Sequence, residues 1–290
     1  MNTYLKINST KIINDLQQSG FSIINNCLDI DFLKQLTLEA NELNSLNLNN
    51  NDVPTVFYAS QTYLTHAIAK SENFYKIVTD LNLRKLASSY LRVNKIILKC
   101  SRMYTSKSGH RLRWHNDMKA PLGPMHNYPG ITGILYLNDT FNGELMGVSG
   151  SHRWINESGQ TEFSDEEIAI VKDKVVSFKG KAGTLILMDT KTIHSTAQTE
   201  EKFHRKTIFF QIDAFGSGKE RFVVNPDWID PSDTELLEYL GFGVLHRYES
   251  MPSTKHDNLP ASILLNLITS SLGIIIDKTL IRLRKILQLR

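Results

Sequence analysis

Five short apolar runs, at residues 21–24, 95–104, 131–138, 184–188 and 205–212, are separated by segments containing Gly, Asn and Asp. No regular alternation of helix and strand accompanies them, so the expected fold is an antiparallel barrel or sandwich, not a doubly wound sheet. Side chains alternate across a strand with period two. In 95–104 this predicts Ile97, Lys99, Ser101 and Met103 on one side, with Leu98, Cys100, Arg102 and Tyr104 on the other. In 205–212 it puts Arg205, Thr207, Phe209 and Gln211 on a pocket-lining face and turns Ile208, Phe210 and Ile212 towards apolar packing.

Helices precede and flank these strands. Ser9 or Thr10 is expected to cap a short helix through Leu16, closed by Gly20, and Asp29 or Asp31 a second helix reaching about Leu43. The Asn-rich stretch 46–51 reads as an exposed loop or lid element. Residues 71–92 read as two helices, whose Phe74, Ile77, Leu81, Leu83, Leu86, Ala87 and Leu91 recur at helical spacing and cover one sheet. Residues 118–130 carry Pro, Gly and His126 and read as a loop, and 139–151 as turn-rich.

Chemistry concentrates around Arg113, Trp114, His115, Asn116, Asp117 and Met118. A histidine and an aspartate two residues apart on extended chain point to the same side, so an imidazole and a carboxylate converge. On its own this pair also fits a solvated strand end. With a second histidine it becomes the 2-His-1-carboxylate set that holds non-haem Fe(II) with open positions. His194 is the candidate, and Arg205 follows it by eleven residues. Iron held by three protein ligands needs a chelating co-substrate, and a guanidinium fork suits the far carboxylate of a dicarboxylate such as 2-oxoglutarate.

At these residues the chain resembles the phytanoyl-CoA dioxygenase-like family of Fe(II)- and 2-oxoglutarate-dependent oxygenases. The resemblance spans roughly residues 11–225. It implies His115, Asp117 and His194 as iron ligands, Arg205 as the 2-oxoglutarate arginine, and Thr196 as a hydroxyl beside the same carboxylate. It extends to Gly143, Glu144 and Leu145 and to the Gly150, Ser151, His152 turn, where Ser149 stands in place of the usual proline. The implied fold is mainly β with flanking helices: a double-stranded β-helix, or cupin-like jelly roll, with N-terminal helices packed on one sheet. The implied reaction consumes O2 and 2-oxoglutarate, hydroxylates an unactivated C–H bond of a small molecule, and releases succinate and CO2. Arg102, Tyr104, Trp114, Asn116, Met118 and Phe209 are candidates for the substrate pocket. The alternative is a cupin-like metal- or ligand-binding barrel without oxygenase activity, which has no need for a cation at Arg205. His126, His152 and His204 are not assigned to the metal.

The expected organisation is one oxygenase domain over residues 1–258, with a helical part at 1–94 and a jelly-roll core at 95–225. A C-terminal apolar and basic amphipathic helical tail follows over 259–290. That tail suits either packing on the domain or a subunit, or contact with an anionic membrane surface. A net charge of +3 over 290 residues gives no argument for nucleic acid. Cys27 and Cys100 form neither a metal-spacing pair nor a disulfide framework. Residues 1–6 are not followed by a secretory apolar core. A cytoplasmic enzyme is therefore expected, with peripheral membrane association as the alternative. Neither a phosphate-binding Gly-rich loop nor a Gly-x-Ser-x-Gly elbow is present.

Overall fold

The computed structural model describes residues 3–49, 55–58, 61–117, 129–154, 160–200, 203–216, 219–220, 223–243 and 248–249. The expected tail at 259–290, Met118 and His126 lie outside them. In chain order the elements are α1 (Ser9–Ser19), β1 (Phe21–Ile24), α2 (Ile30–Asn49), β2 (Thr55–Tyr58), β3 (Gln61–Leu64), α3 (Glu72–Val78), α4 (Leu81–Leu91), β4 (Ile96–Ser106) and β5 (Trp114–His115). They continue with β6 (Gly130–Tyr136), β7 (Thr140–Val148), β8 (Glu162–Phe163), α5 (Asp165–Ala169), β9 (Val175–Gly180), β10 (Leu185–Asp189) and β11 (His194–Thr196). The last are β12 (Arg205–Ala214), β13 (Lys219–Glu220), α6 (Thr234–Leu240) and β14 (Tyr248–Glu249).

Two sheets form the expected jelly roll. The larger runs β1-β10-β6-β12-β4-β3-β2 and the smaller β8-β5-β11-β7-β9. All their pairings are antiparallel, and the short β13–β14 pair is parallel. The N-terminal segment thus contributes strands β1, β2 and β3 as well as helices. Helices α1 to α4 and α6 cover the outer face of the large sheet. Leu16, Leu36, Phe74, Leu83 and Ala87 share one buried cluster with Leu98, Met103, Ile208, Phe210 and Ile212. Between the sheets a smaller cluster joins Phe21, Ile134, Tyr136, Leu145, Phe178 and Met188.

The helix starts are set by polar side chains. Asn8, one residue before the expected caps, accepts from the Lys11 amide at 3.1 Å. Ser71 and Asp80 cap α3 and α4 by accepting from Phe74 and Leu83 amides at 3.0 Å each. The second helix, expected to stop near Leu43, runs on to Asn49, so residues 46–49 of the expected loop are helical. The expected turn-rich stretch 139–151 instead holds the nine-residue strand β7. Its glycines serve the sheet. A Cβ at Gly147 would meet the Phe178 ring at 2.7 Å, and the register shifts between Thr140 and Leu145 around Gly143 at φ +64°.

One strand departs from simple alternation. On β12, Gln211 pairs with Cys100 and Ile212 with Leu98, so Lys99 is a bulge. Leu98 consequently turns to the helix side with Met103, not to the pocket side with Cys100. The bulged Lys99 places its ammonium 3.3 Å from the buried Asp213 carboxylate.

Candidate active site

The structure brings together the three residues expected to hold a metal. His115 and His194 are paired directly across β5 and β11, with ring centroids 4.2 Å apart. The Asp117 Oδ1 lies 3.9 Å from His115 Nε2 and 3.8 Å from His194 Nε2. One ligand atom from each residue lies within 4.8 Å of the others. A shared ion at about 2.1 Å from each donor permits separations up to about 4.2 Å, so both measured pairs suit a common metal.

Each of the three side chains is held by a neighbour. His115 Nδ1 lies 2.7 Å from the Arg113 carbonyl and His194 Nδ1 2.9 Å from the Thr192 carbonyl. Donation to these carbonyls fixes the Nδ1–H tautomer and directs both Nε2 lone pairs inward. Thr132 donates to Asp117 Oδ2 at 2.7 Å, leaving Oδ1 to face the histidines. Burial drives the His194 pKa well below its usual value, against the pull of Asp117 and aided by His115, so its ring is neutral as a ligand must be.

The loop between β10 and β11 is anchored from two sides. Ser151 donates to the Val148 carbonyl at 2.7 Å and accepts from the Ile193 amide at 2.9 Å. Thr192 donates to the Gly20 carbonyl at 3.0 Å while its own carbonyl receives His194. Gly20 must be glycine: its φ is +86°, and a Cβ would meet Thr192 Oγ1 at 2.5 Å and His152 Nδ1 at 2.6 Å. The Gly150, Ser151, His152 turn is therefore a positioning device. Ser149 is explained too, because its amide donates to the Lys174 carbonyl at 2.8 Å and proline would supply no donor.

Arg205 starts β12 and is only 5% exposed. Its Nη1 donates to the Gly143 carbonyl and its Nη2 to Ser106 Oγ at 3.2 Å, whereas its buried Nε has no hydrogen-bond partner. No carboxylate among the described residues forms an ion pair with it. Burial works against its charge and Tyr136 and Glu144 work for it, yet an arginine at neutral pH remains a cation. A buried cation with an orphan donor calls for an anion. Thr196, two residues past His194 and 1% exposed, accepts from the Leu112 amide at 2.9 Å and keeps its own proton to donate.

The other candidates divide. Arg102, Tyr104 and Phe209 meet on the large sheet. Arg102 donates to the Tyr104 hydroxyl at 2.9 Å and lies 5.8 Å from the Phe209 ring centre, and the Tyr104 and Phe209 rings meet edge-on at 5.3 Å. Asn116 sits between two ligands with a buried, unpartnered Oδ1. Trp114 is a correction: strand alternation turns it away from His115 into a cluster with Val148, Ile168 and Ile193. His152 Nε2 lies 3.2 Å from the Gln17 carbonyl and His204 is exposed. Thr132 and Tyr63, which packs edge-on against Tyr104 at 4.3 Å, were not singled out from sequence, and Gly143 was named within a motif but not as a partner of Arg205. Tyr63 meets Tyr104 through the β3–β4 pairing, and Thr132 on β6 meets Asp117 across from the smaller sheet.

Comparison with known families settles the membership. The family model described as phytanoyl-CoA dioxygenase (PhyH) matches residues 16–207, a span that contains all three metal-site residues and Arg205. The chain belongs to the phytanoyl-CoA dioxygenase family. No curated protein matches it. Among solved structures, EctD from S. alaskensis with 2-oxoglutarate and 5-hydroxyectoine aligns at TM-score 0.62 and 18% identity, over 87% of this chain and 90% of that one. SnoN, a non-heme alpha ketoglutarate dependent epimerase from nogalamycin biosynthesis, aligns at 0.59 and 16%, over 85% and 95%. The carbocyclase SnoK of the same biosynthesis aligns at 0.57 and 14%, over 74% and 87%. At such identities the likeness is one of fold. Among the described residues no helix is long and apolar enough to cross a membrane.

Proposed function

We propose that this family member is an Fe(II)- and 2-oxoglutarate-dependent oxygenase that hydroxylates an unactivated C–H bond of a small molecule. His115, Asp117 and His194 would hold the iron, whose coordination suits a facial set with open positions. Arg205 would clamp the far carboxylate of 2-oxoglutarate, with Thr196 donating to it. Bound iron, with 2-oxoglutarate and O2, supplies the oxidising power for C–H cleavage, and succinate and CO2 are released. The protein's part is to orient and to exclude water. Arg113, Thr192 and Thr132 fix the ligand atoms, and the inner face of Arg102, Tyr104 and Phe209 would hold the target.

The observation that carries this reading is the coincidence of the triad with the buried Arg205 and its orphan Nε. Its test is titration of 2-oxoglutarate into the Fe(II)-loaded protein under argon. One equivalent should bind. Arg205→Ala removes a charge-assisted contact of about 1.5–3 kcal/mol, or one to two decades in Kd. Unchanged affinity in that variant rejects the role of Arg205, and no binding by the parent protein would leave the non-oxygenase barrel.

A further inference from the structure

We propose that Tyr90, on the outer helix α4, is a positioning residue for the metal centre, acting through the turn that joins β10 to β11. The inference rests on His115, Asp117 and His194 holding the iron, and goes beyond that reading by naming a remote residue that keeps two of them in place. Period two on β10 sorts its side chains. Ile186 and Met188 lie between the sheets, whereas Leu185 and Leu187 pack in the cluster beneath the helices. Asp189 continues on the helix side. There the Tyr90 hydroxyl donates to Asp189 Oδ2 at 2.6 Å, a contact between residues 99 apart in the chain. Burial and the neighbouring Asp189 carboxylate raise the Tyr90 pKa above its ordinary value, so the phenol keeps the proton that it donates.

Asp189 ties the turn together. Its Oδ1 accepts from the Lys191 amide at 2.8 Å, its carbonyl accepts from the Thr192 amide at 2.9 Å, and its own amide donates to the Gly20 carbonyl at 2.8 Å. The carboxylate thus closes an Asx-type turn with one oxygen while Tyr90 holds the other. With both oxygens engaged it cannot swing. The turn then presents two carbonyls to the metal site. That of Thr190 accepts from the Asp117 amide at 2.9 Å, and that of Thr192 lies 2.9 Å from His194 Nδ1. One turn therefore fixes the backbone of one proposed ligand and the ring of another.

The anchors at Ser151 and Gly20 act on this loop from the smaller sheet and from the start of β1, and Tyr90 adds a third from a helix that covers the opposite face of the large sheet. Among the described residues, its hydroxyl makes the one side-chain hydrogen bond to the Asp189 carboxylate. Deleting that donor leaves Oδ2 to water, lets the carboxylate rotate, and slackens the Lys191 bond that shapes the turn. Hydrogen-bond partners of metal ligands change metal affinity by about 10–100-fold. Tyr90 stands one hydrogen bond further out and Asp189 is partly exposed, so an effect of about threefold to tenfold follows.

The test uses the full chain and Tyr90→Phe, which keeps the ring and deletes the hydroxyl. Fe(II) affinity is read under argon by competition with a chromophoric chelator, and melting is followed in the metal-free protein. Tyr90→Phe should bind Fe(II) about threefold to tenfold more weakly, with the charge-transfer band of its 2-oxoglutarate complex displaced. Asp189→Ala should weaken Fe(II) as well, and adding Tyr90→Phe to it should change the affinity no further, because the two act as one unit. An affinity within about twofold of the parent together with an unmoved band overturns the proposal whatever the melting temperature does, since a tyrosine that only stabilises the fold would move the melt alone. So does a full Tyr90→Phe effect in the Asp189→Ala background, because Tyr90 then acts by another route. If the parent protein binds no Fe(II) at all, it is the metal reading itself that falls.

Discussion

Replacing Thr132 with Val tests whether the metal centre depends on its supporting shell. Thr132 is fully buried and donates to Asp117 Oδ2 at 2.7 Å, while the Asp117 side chain is 17% exposed. Valine keeps the shape and deletes only the hydroxyl. A hydrogen bond to a charged group contributes about 1.5–3 kcal/mol, and water reaching the exposed edge of the carboxylate recovers some of it. Without the donor the carboxylate can rotate in the metal-free protein, so orientation must be restored on binding. Partners of this kind are worth 10–100-fold in metal affinity, and the conservative shape and partial exposure favour the lower end, about tenfold. Competition with a chromophoric chelator measures it directly. Thr132→Ser, which keeps the donor, should bind like the parent. A Thr132→Val affinity within twofold of the parent would refute the reasoning.

Gly20→Ala should cost about 2 kcal/mol, from a left-handed backbone and contacts at 2.5 and 2.6 Å, and lower the melting temperature by roughly 5 °C; an unchanged melt would deny the anchoring of Thr192. Burial, aided by Arg205, pushes the His110 pKa down to about 4 from 6.5. The unfolded chain therefore binds this proton first as pH falls, so the contribution of His110 is to lower stability between about pH 6.5 and 4, with no further change below. His110→Gln should flatten that part of the denaturant-midpoint profile, and an identical profile would contradict it.

What the sequence revealed and what it hid follow from different physics. Metal chelation demands particular residue types, so His115 and Asp117 two residues apart, and His194 and Arg205 eleven apart, stood out as candidates, and the resemblance to the family implied their roles. Their supports come from other strands. Thr132 reaches Asp117 through the placement of β6 with no local signal, and the Gly143 carbonyl reaches Arg205 across the two sheets, a contact that its motif does not reveal. The Lys99 bulge belongs to a pairing between strands more than a hundred residues apart, so alternation alone misplaced Leu98. Trp114 was legible: the period that joins His115 to Asp117 also turns Trp114 away. The strand β7 was obscured by glycines that read as turns but admit Phe178 and a register shift.

The most direct test is anaerobic absorption spectroscopy of the Fe(II)-loaded protein on addition of 2-oxoglutarate. One iron per chain and a weak visible charge-transfer band are predicted, with the band lost in Asp117→Ala, which removes one of the three proposed ligands. Iron binding without any such band, or a band that survives Asp117→Ala unaltered, would contradict a 2-oxoglutarate-chelating centre at these residues.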